Sequence, residues 1–220
     1  MEIKIKNSFF SKTLFLFITV WLNFGLVYGQ NNDPKAVQVL KKFNEQFSQS
    51  SGTFIDFSLT TYTKSKQLVA QKLMKLRLKG NLYNLQDKQI EIICDGKFIY
   101  NYDGQKTITK VALEDGDQSL NPQNIFAGNY EKDYQISYMN STQPNFIEIK
   151  LTPNDKRINV AELVLSFNKA TSLMNQATLT DKAGNKTIIK VNSFKLNQKF
   201  DNVFFTFDIK KYPKDAEIFD

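Results

Sequence analysis

The 220-residue chain has one cysteine, Cys94, in the run Ile92-Ile93-Cys94-Asp95-Gly96-Lys97-Phe98. A thiol beside a carboxylate and an ammonium would be a nucleophile if Lys97 lowered its pKa, because the thiolate is the reactive form. Alternation instead puts Cys94 on the side of Ile90 and Ile92, and apolar surroundings raise a thiol pKa, so an inert Cys94 is expected. The chain contains no histidine. Ser-His-Asp and Cys-His nucleophile systems are therefore impossible, as are His-bearing zinc sites. A single cysteine also leaves no internal disulfide and no thiolate cluster. The remaining acid/base candidates are carboxylates, and Asp95, Asp103, Asp115, Asp117 and Asp181 all fall in turn sequences, where Asp serves backbone geometry. Glu114-Asp115-Gly116-Asp117 lacks the later Glu and the spacing of a calcium loop. The enzyme class left open is a secreted hydrolase, which needs two carboxylates converging at about 5–10 Å.

The elements that would position such residues begin after a targeting segment. Lys4, Lys6 and Lys12 precede the apolar run 13–27, and Val27-Tyr28-Gly29 ends it before polar Gln30. This is the layout of a cleaved secretory signal peptide over residues 1–29, and the run is shorter than the roughly 20 residues of a membrane span. Its removal takes three lysines and Glu2 with it, lowering the formal charge from +7 to +5. The lysines are scattered, so nucleic acid is not an expected partner, while a weak preference for anionic membrane surfaces is compatible with the charge. Residues 30–220 then read as a single domain.

Asp33-Pro34 opens a helix, Asp as N-cap and Pro at the first helical position. Val37, Leu40, Phe43 and Phe47 form its apolar stripe, and Ser48 to Gly52 break it. From Thr53 the period changes to 2. Ile55/Phe57/Leu59, Met74/Leu76/Leu78, Ile90/Ile92/Cys94, Phe98/Tyr100/Tyr102, Ile147/Ile149/Leu151 and Leu163/Leu165/Phe167 alternate with polar neighbours. Turn signals separate them, including an Asp95-Gly96 hairpin tip, and the count reaches about twelve strands. Asn121-Pro122 repeats the N-cap signal and starts a short helix through Phe126. An irregular stretch 195–202 precedes an expected last strand over Val203 to Ile209. The class is α+β, mainly β. So many hairpin strands with one apolar face must form a two-sheet sandwich or curl into a barrel, and a single long meander with local turns favours the curl, wide enough that helices are needed over an open mouth. The 14 phenylalanines outside the signal segment suit a cavity that binds acyl chains.

Taken in order, DPKAVQVLKKF, KLMKLRLKGNLYNL, ICDGKFIYNY, SLNPQNIFAG followed by EKDYQISY, IEIKLTP, and LTDKAGNKTIIKVNSFKLNQKFDNVFFTFDIKKYP resemble the LolA-type periplasmic lipoprotein carriers over residues 33–220. The resemblance implies an unclosed antiparallel β-barrel of about 11–12 strands with helices as a lid over a hydrophobic cavity, and a non-enzymatic, monomeric carrier without a cofactor. Its partners would be acylated lipoproteins, an inner-membrane ABC-type lipoprotein-releasing complex and, commonly, an outer-membrane acceptor lipoprotein. The cavity would be lined by Ile55, Phe57, Leu59, Met74, Leu76, Leu78, Ile90, Ile92, Phe98, Tyr100, Ile147, Ile149, Leu163, Leu165 and Phe167. The lid would use Val37, Leu40, Phe43 and Phe47 with Ile125 and Phe126. Members of the family latch the lid with an Arg before a Pro; this chain has Lys79-Gly80 there, which makes Lys79 the latch candidate and Arg77 the second. Lys lacks the planar fork of a guanidinium. The alternatives are a binder of another lipid or glycolipid on the same fold, or the carboxylate hydrolase.

Overall fold

Every described strand from Thr53 onward joins one sheet. The computed structural model describes residues 32–115 and 130–220, and Asn32–Asp220 form one compact unit. The expectations for the signal segment and for the helix with Ile125 and Phe126 lie outside the described residues. Helix α1 (Pro34–Ser48) starts as its sequence dictates: the Asp33 carboxylate accepts from the Lys35 amide at 2.9 Å, with Pro34 in the first turn. It leads into β1 (Thr53–Tyr62), β2 (Leu68–Lys79), β3 (Leu82–Gln86), β4 (Glu91–Cys94), β5 (Phe98–Tyr102) and β6 (Thr107–Ala112). A single-turn helix α2 (Tyr130–Asp133) precedes β7 (Tyr134–Met139), β8 (Phe146–Pro153), β9 (Val160–Asn168), β10 (Met174–Asp181) and β11 (Lys186–Lys195). The chain ends in β12 (Glu217–Phe219).

The strand order is β12-β6-β5-β4-β3-β2-β1-β11-β10-β9-β8-β7. Each hairpin neighbour pairs antiparallel, and β1 pairs with β11 to join the two meanders into one unclosed 12-stranded sheet. Cross-strand partners share a face, so the register sorts the side chains. Ile55 lies opposite Leu76 and Phe194, Leu76 opposite Leu85, Ala177 opposite Leu165, and Leu165 opposite Ile149. These residues form one apolar face, which is covered by α1. We call it the concave face.

The other face of the β1–β6 half also needs a cover, because Ile93 and Asn84 on it are buried. The C-terminal segment supplies it. The expected strand over Val203 to Ile209 is replaced by two 3₁₀ turns, Asn202–Phe205 and Ile209–Lys211, started by the Asp201 and Asp208 carboxylates. Short apolar runs read as strands, and here local Asp caps and packing of Phe205 against the sheet win over that pattern. Beyond these turns the segment reaches the far edge, where β12 pairs parallel with β6 and covers that edge.

The segment is seated at its start by an unusually close approach. The Gln198 amide donates to the Gly52 carbonyl at 2.8 Å, and a Cβ at Gly52 would stand 2.4 Å from the Gln198 carbonyl oxygen. The Phe200 ring stands 3.1 Å from the same Cβ, so a side chain at residue 52 forces a shift. Gly52→Ala is expected to destabilise the protein by about 1–3 kcal/mol, the usual range for overpacking, as read by a lowered denaturant midpoint with unchanged slope.

Candidate functional site

Helix α1 is set on the concave face over the β7, β9 and β11 side. Phe43 is fully buried, with its ring centroid 5.2 Å from Phe167 and 5.9 Å from Phe194. Ala36 and Leu40 are buried beside it, while Val37 and Phe47 are half-buried against the same cluster. Burying Leu40 and Phe43 contributes on the order of 2 kcal/mol each. The helix start is tied to β7 by two bonds, from the Asp33 amide to the Ile136 carbonyl and from the Ile136 amide to Asn32 Oδ1.

Thirteen of the expected lining residues lie on or against this face. Ile55, Phe57, Met74, Leu76, Leu78, Ile149, Leu165 and Phe167 are buried in it; Leu59, Ile90, Ile92, Ile147 and Leu163 are half-buried against it. The register adds residues that the sequence reading passed over: Leu85, Met174, Ala177, Ile189, Val191 and Phe194. Their strands lack a clean alternation. Ile188, the neighbour of Ile189, is itself only half exposed, and register alone separates the two.

Phe98 and Tyr100 are a correction. Cys94 pairs with Ile99 and Ile93 with Tyr100, so Ile99 faces the concave side and Phe98, Tyr100 and Tyr102 face away from it. An even-length loop between antiparallel strands always pairs even positions with odd ones, so Ile92 and Phe98 are held on opposite faces. Tyr100 instead stacks flat on Phe207 of the C-terminal segment, centroids 4.2 Å apart, and Phe207 stacks on Tyr212 at 5.4 Å.

Below that stack runs a polar chain. Arg77 Nη1 donates to Asn84 Oδ1 at 3.1 Å, Asn84 Nδ2 to Glu91 Oε1 at 2.7 Å, and the Tyr212 hydroxyl to Glu91 Oε2 at 2.8 Å. Burial pulls the Arg77 guanidinium below its usual pKa and the nearby Glu91 carboxylate partly restores it. Burial and the bond to Glu91 push the Tyr212 phenol well above its usual range. Three of the five carboxylates considered for chemistry are occupied in their turns: Asp95 accepts from the Lys97 and Phe98 amides, Asp103 from those of Gln105 and Thr107, and Asp181 from that of Asn185; Asp117 lies outside the described residues.

A family model for the outer membrane lipoprotein carrier protein LolA matches residues 79–208. The chain belongs to this family. No curated protein sequence matches it. Among solved structures, an uncharacterized conserved protein from Thermus thermophilus is similar with a TM-score of 0.55 and 13% identity, covering 84% of this chain and 98% of that one. This likeness supports the fold. The LolA superfamily protein NE2245 from Nitrosomonas europaea is similar at a TM-score of 0.40 and 13% identity, covering 78% and 97%. The lipoprotein LppX from Mycobacterium tuberculosis is similar at 0.48 and 9% identity, covering 77% and 99%.

Against the lid arrangement expected of a LolA-type chain, the latch candidates are the second correction. Arg77 and Lys79 lie one position off Met74/Leu76/Leu78 in alternation and so point away from α1. Lys79 Nζ donates to Asn202 Oδ1 at 2.9 Å, and the Arg77 guanidinium lies 4.5 Å from the ring centre of Phe204. Both hold the C-terminal segment, not α1. Cys94 is fully buried on the concave side, 3.4 Å from the Asn81 carbonyl. Burial raises its pKa. The neighbouring Tyr83 phenol is pushed up to about 12 for the same reason.

Two outcomes follow from this geometry. Tyr212→Phe removes the hydroxyl bond to Glu91 and is expected to lower stability by about 1.5 kcal/mol, the value of a hydrogen bond to a charged group, measured by urea unfolding. Cys94 is expected to react with a thiol reagent at pH 8 at least about a hundredfold more slowly in the native protein than in urea, since labelling requires opening of the fold.

Proposed function

We propose that this protein is a periplasmic carrier that receives acylated lipoproteins from an inner-membrane ABC-type releasing complex and delivers them to the outer membrane. Where an outer-membrane acceptor lipoprotein exists, it is the recipient. The observation that carries this reading is the concave face: a continuous apolar surface of Ile, Leu, Met and Phe side chains, covered by one amphipathic helix, in a chain of the LolA family.

The energetics set what such a surface has to do. An acyl chain of about fifteen methylenes loses about 12 kcal/mol when it is moved into water, at roughly 0.8 kcal/mol per CH₂. A soluble carrier must offset most of that, yet still let the chain go. Residues of α1 already occupy the face that the acyl chain would use, so loading exchanges one apolar cover for another. The free energy released on binding is then the difference between two burials, which keeps the cargo transferable. A cleft of about 240 Å³ between Val39 and Lys42 of α1 and Ile147 and Phe167 of the sheet marks where helix and sheet already part.

Leu59 tests this reading without attacking the packed core, because it lies on the concave face but is only half-buried. Leu59→Glu puts a carboxylate where an acyl chain would lie, a costly burial for a charge. Release of acylated lipoprotein from inner-membrane vesicles is expected to fall at least about tenfold, with unchanged circular dichroism. Unchanged release would count against the concave face as the lipid site.

A further inference from the structure

One end of the sheet carries a feature that neither the core nor the acyl-binding reading uses. Three turns meet there: 63–67 between β1 and β2, 182–185 between β10 and β11, and 154–159 between β8 and β9. They are braced into a single rim. The Lys64 amide donates to Asn185 Oδ1 at 3.2 Å, and Gly184, with φ of +88°, lies so close to Lys64 that a Cβ there would stand 3.1 Å from its side chain. Lys182 Nζ donates to the Lys156 carbonyl, and Asn154 Nδ2 to the Lys132 carbonyl at 3.1 Å, which brings α2 into the same rim.

The rim is basic. Lys64 and Lys66 stand exposed on the first turn, Lys182 and Lys186 on the second, Lys156 and Arg157 on the third, and Lys132 on α2. Against these seven cations stand five carboxylates, Glu131, Asp133, Asp155, Asp181 and, level with Lys186 across β10, Glu162, leaving a net +2. Two of the five are engaged locally: Asp155 binds Arg157 at 2.7 Å, and Asp181 accepts from both nitrogens of Asn185 at 2.8 Å.

The rim is also apolar where a soluble surface has no need to be. Leu68 is 58% exposed, Val69 62% and Ile158 38%. Val69 is the extra residue at a register shift where β2 leaves β1, so the pairing itself directs it out of the ladder. The concave face becomes less buried toward this end: Ile55 and Phe57 are buried on β1, whereas Leu59 and Thr61 are half-buried. Lysines interspersed with exposed Leu, Val and Ile are the composition that binds the interface of an anionic bilayer, lysines at the headgroups and aliphatic groups just below them.

We propose that this rim docks the protein on an anionic membrane surface, with Leu68 and Val69 entering the interface and Lys64, Lys66, Lys182 and Lys186 facing the headgroups. Docking in this pose puts the less buried end of the concave face against the bilayer, so an acyl chain would pass between membrane and protein with little exposure to water. The docking rests on the rim alone and stands whether or not the cargo is a lipoprotein.

The test uses the mature chain from residue 30 onward, which has no tryptophan because Trp21, the only one in the sequence, falls in the expected signal segment. Leu68→Trp in that chain makes an indole at the rim the single emitter, and it is mixed with vesicles of phosphatidylcholine, with or without 30 mol% phosphatidylglycerol. The expected result is a blue shift of the emission with the anionic vesicles, quenched by lipids brominated near the headgroup and reversed by 0.5 M NaCl. Adding Lys64→Glu and Lys66→Glu should weaken binding at least about tenfold, since each lysine near such a surface matters by about that much or somewhat less. No shift with anionic vesicles, or an equal shift with neutral ones, would overturn the proposal, as would a shift that appears only with an acidic protein in place of lipid.

Discussion

The constraint on which the rest depends is that a single β-sheet has two faces and neither can leave its apolar residues in water. Strand alternation gives this sheet one face that is apolar along almost its whole width and another whose buried apolar side chains, among the described residues, are Ile93 on β4 and Ile108 on β6. Two covers follow. The N-terminal helix lies on the first, anchored by Phe43 between Phe167 and Phe194, and the C-terminal segment lies on the second, anchored by the Tyr100–Phe207–Tyr212 stack.

The two covers are built with different chemistry. The C-terminal segment is fixed by directional bonds: Lys79 to Asn202, Tyr212 to Glu91, Gln198 to Gly52, and a parallel strand at the edge. Helix α1 is held by apolar contact through Ala36, Leu40 and Phe43, and its start is bonded where Asn32 and Asp33 meet Ile136. Apolar packing is non-directional, so another apolar group can take its place at small net cost, whereas a bonded strap cannot be exchanged in that way. The helix is therefore the cover suited to movement and the strap the one suited to permanence. The arginine and lysine expected to latch the lid belong to the permanent cover.

Where the sequence could be read, a strand had one wet face. Lys75, Arg77 and Lys79 separate Met74, Leu76 and Leu78, and Glu148 and Lys150 separate Ile147, Ile149 and Leu151; those faces were legible without coordinates. The family was legible too, through the order of weak motifs. Around Cys94 both faces are covered, so Ile92, Ile93, Cys94, Phe98, Ile99 and Tyr100 form a nearly continuous apolar run and the period that assigns a face is lost. The cover that caused the ambiguity comes from more than a hundred residues later in the chain, which no local pattern can reveal. The same holds for β12, three residues whose strand state exists only because β6 has a free edge. Asp95 and Asp103, by contrast, cap their turns as their Asp-Gly neighbourhoods dictate.

The central claim is that the concave face exchanges the helix for acyl chains. Native mass spectrometry of the protein titrated with a synthetic triacylated lipopeptide tests it most directly. The account predicts a 1:1 complex whose acyl-free peptide counterpart does not bind, with amide hydrogen exchange in residues 36–47 rising on loading as the helix leaves the sheet. A chain that stays unloaded, or one that loads while residues 36–47 keep their protection, would contradict it.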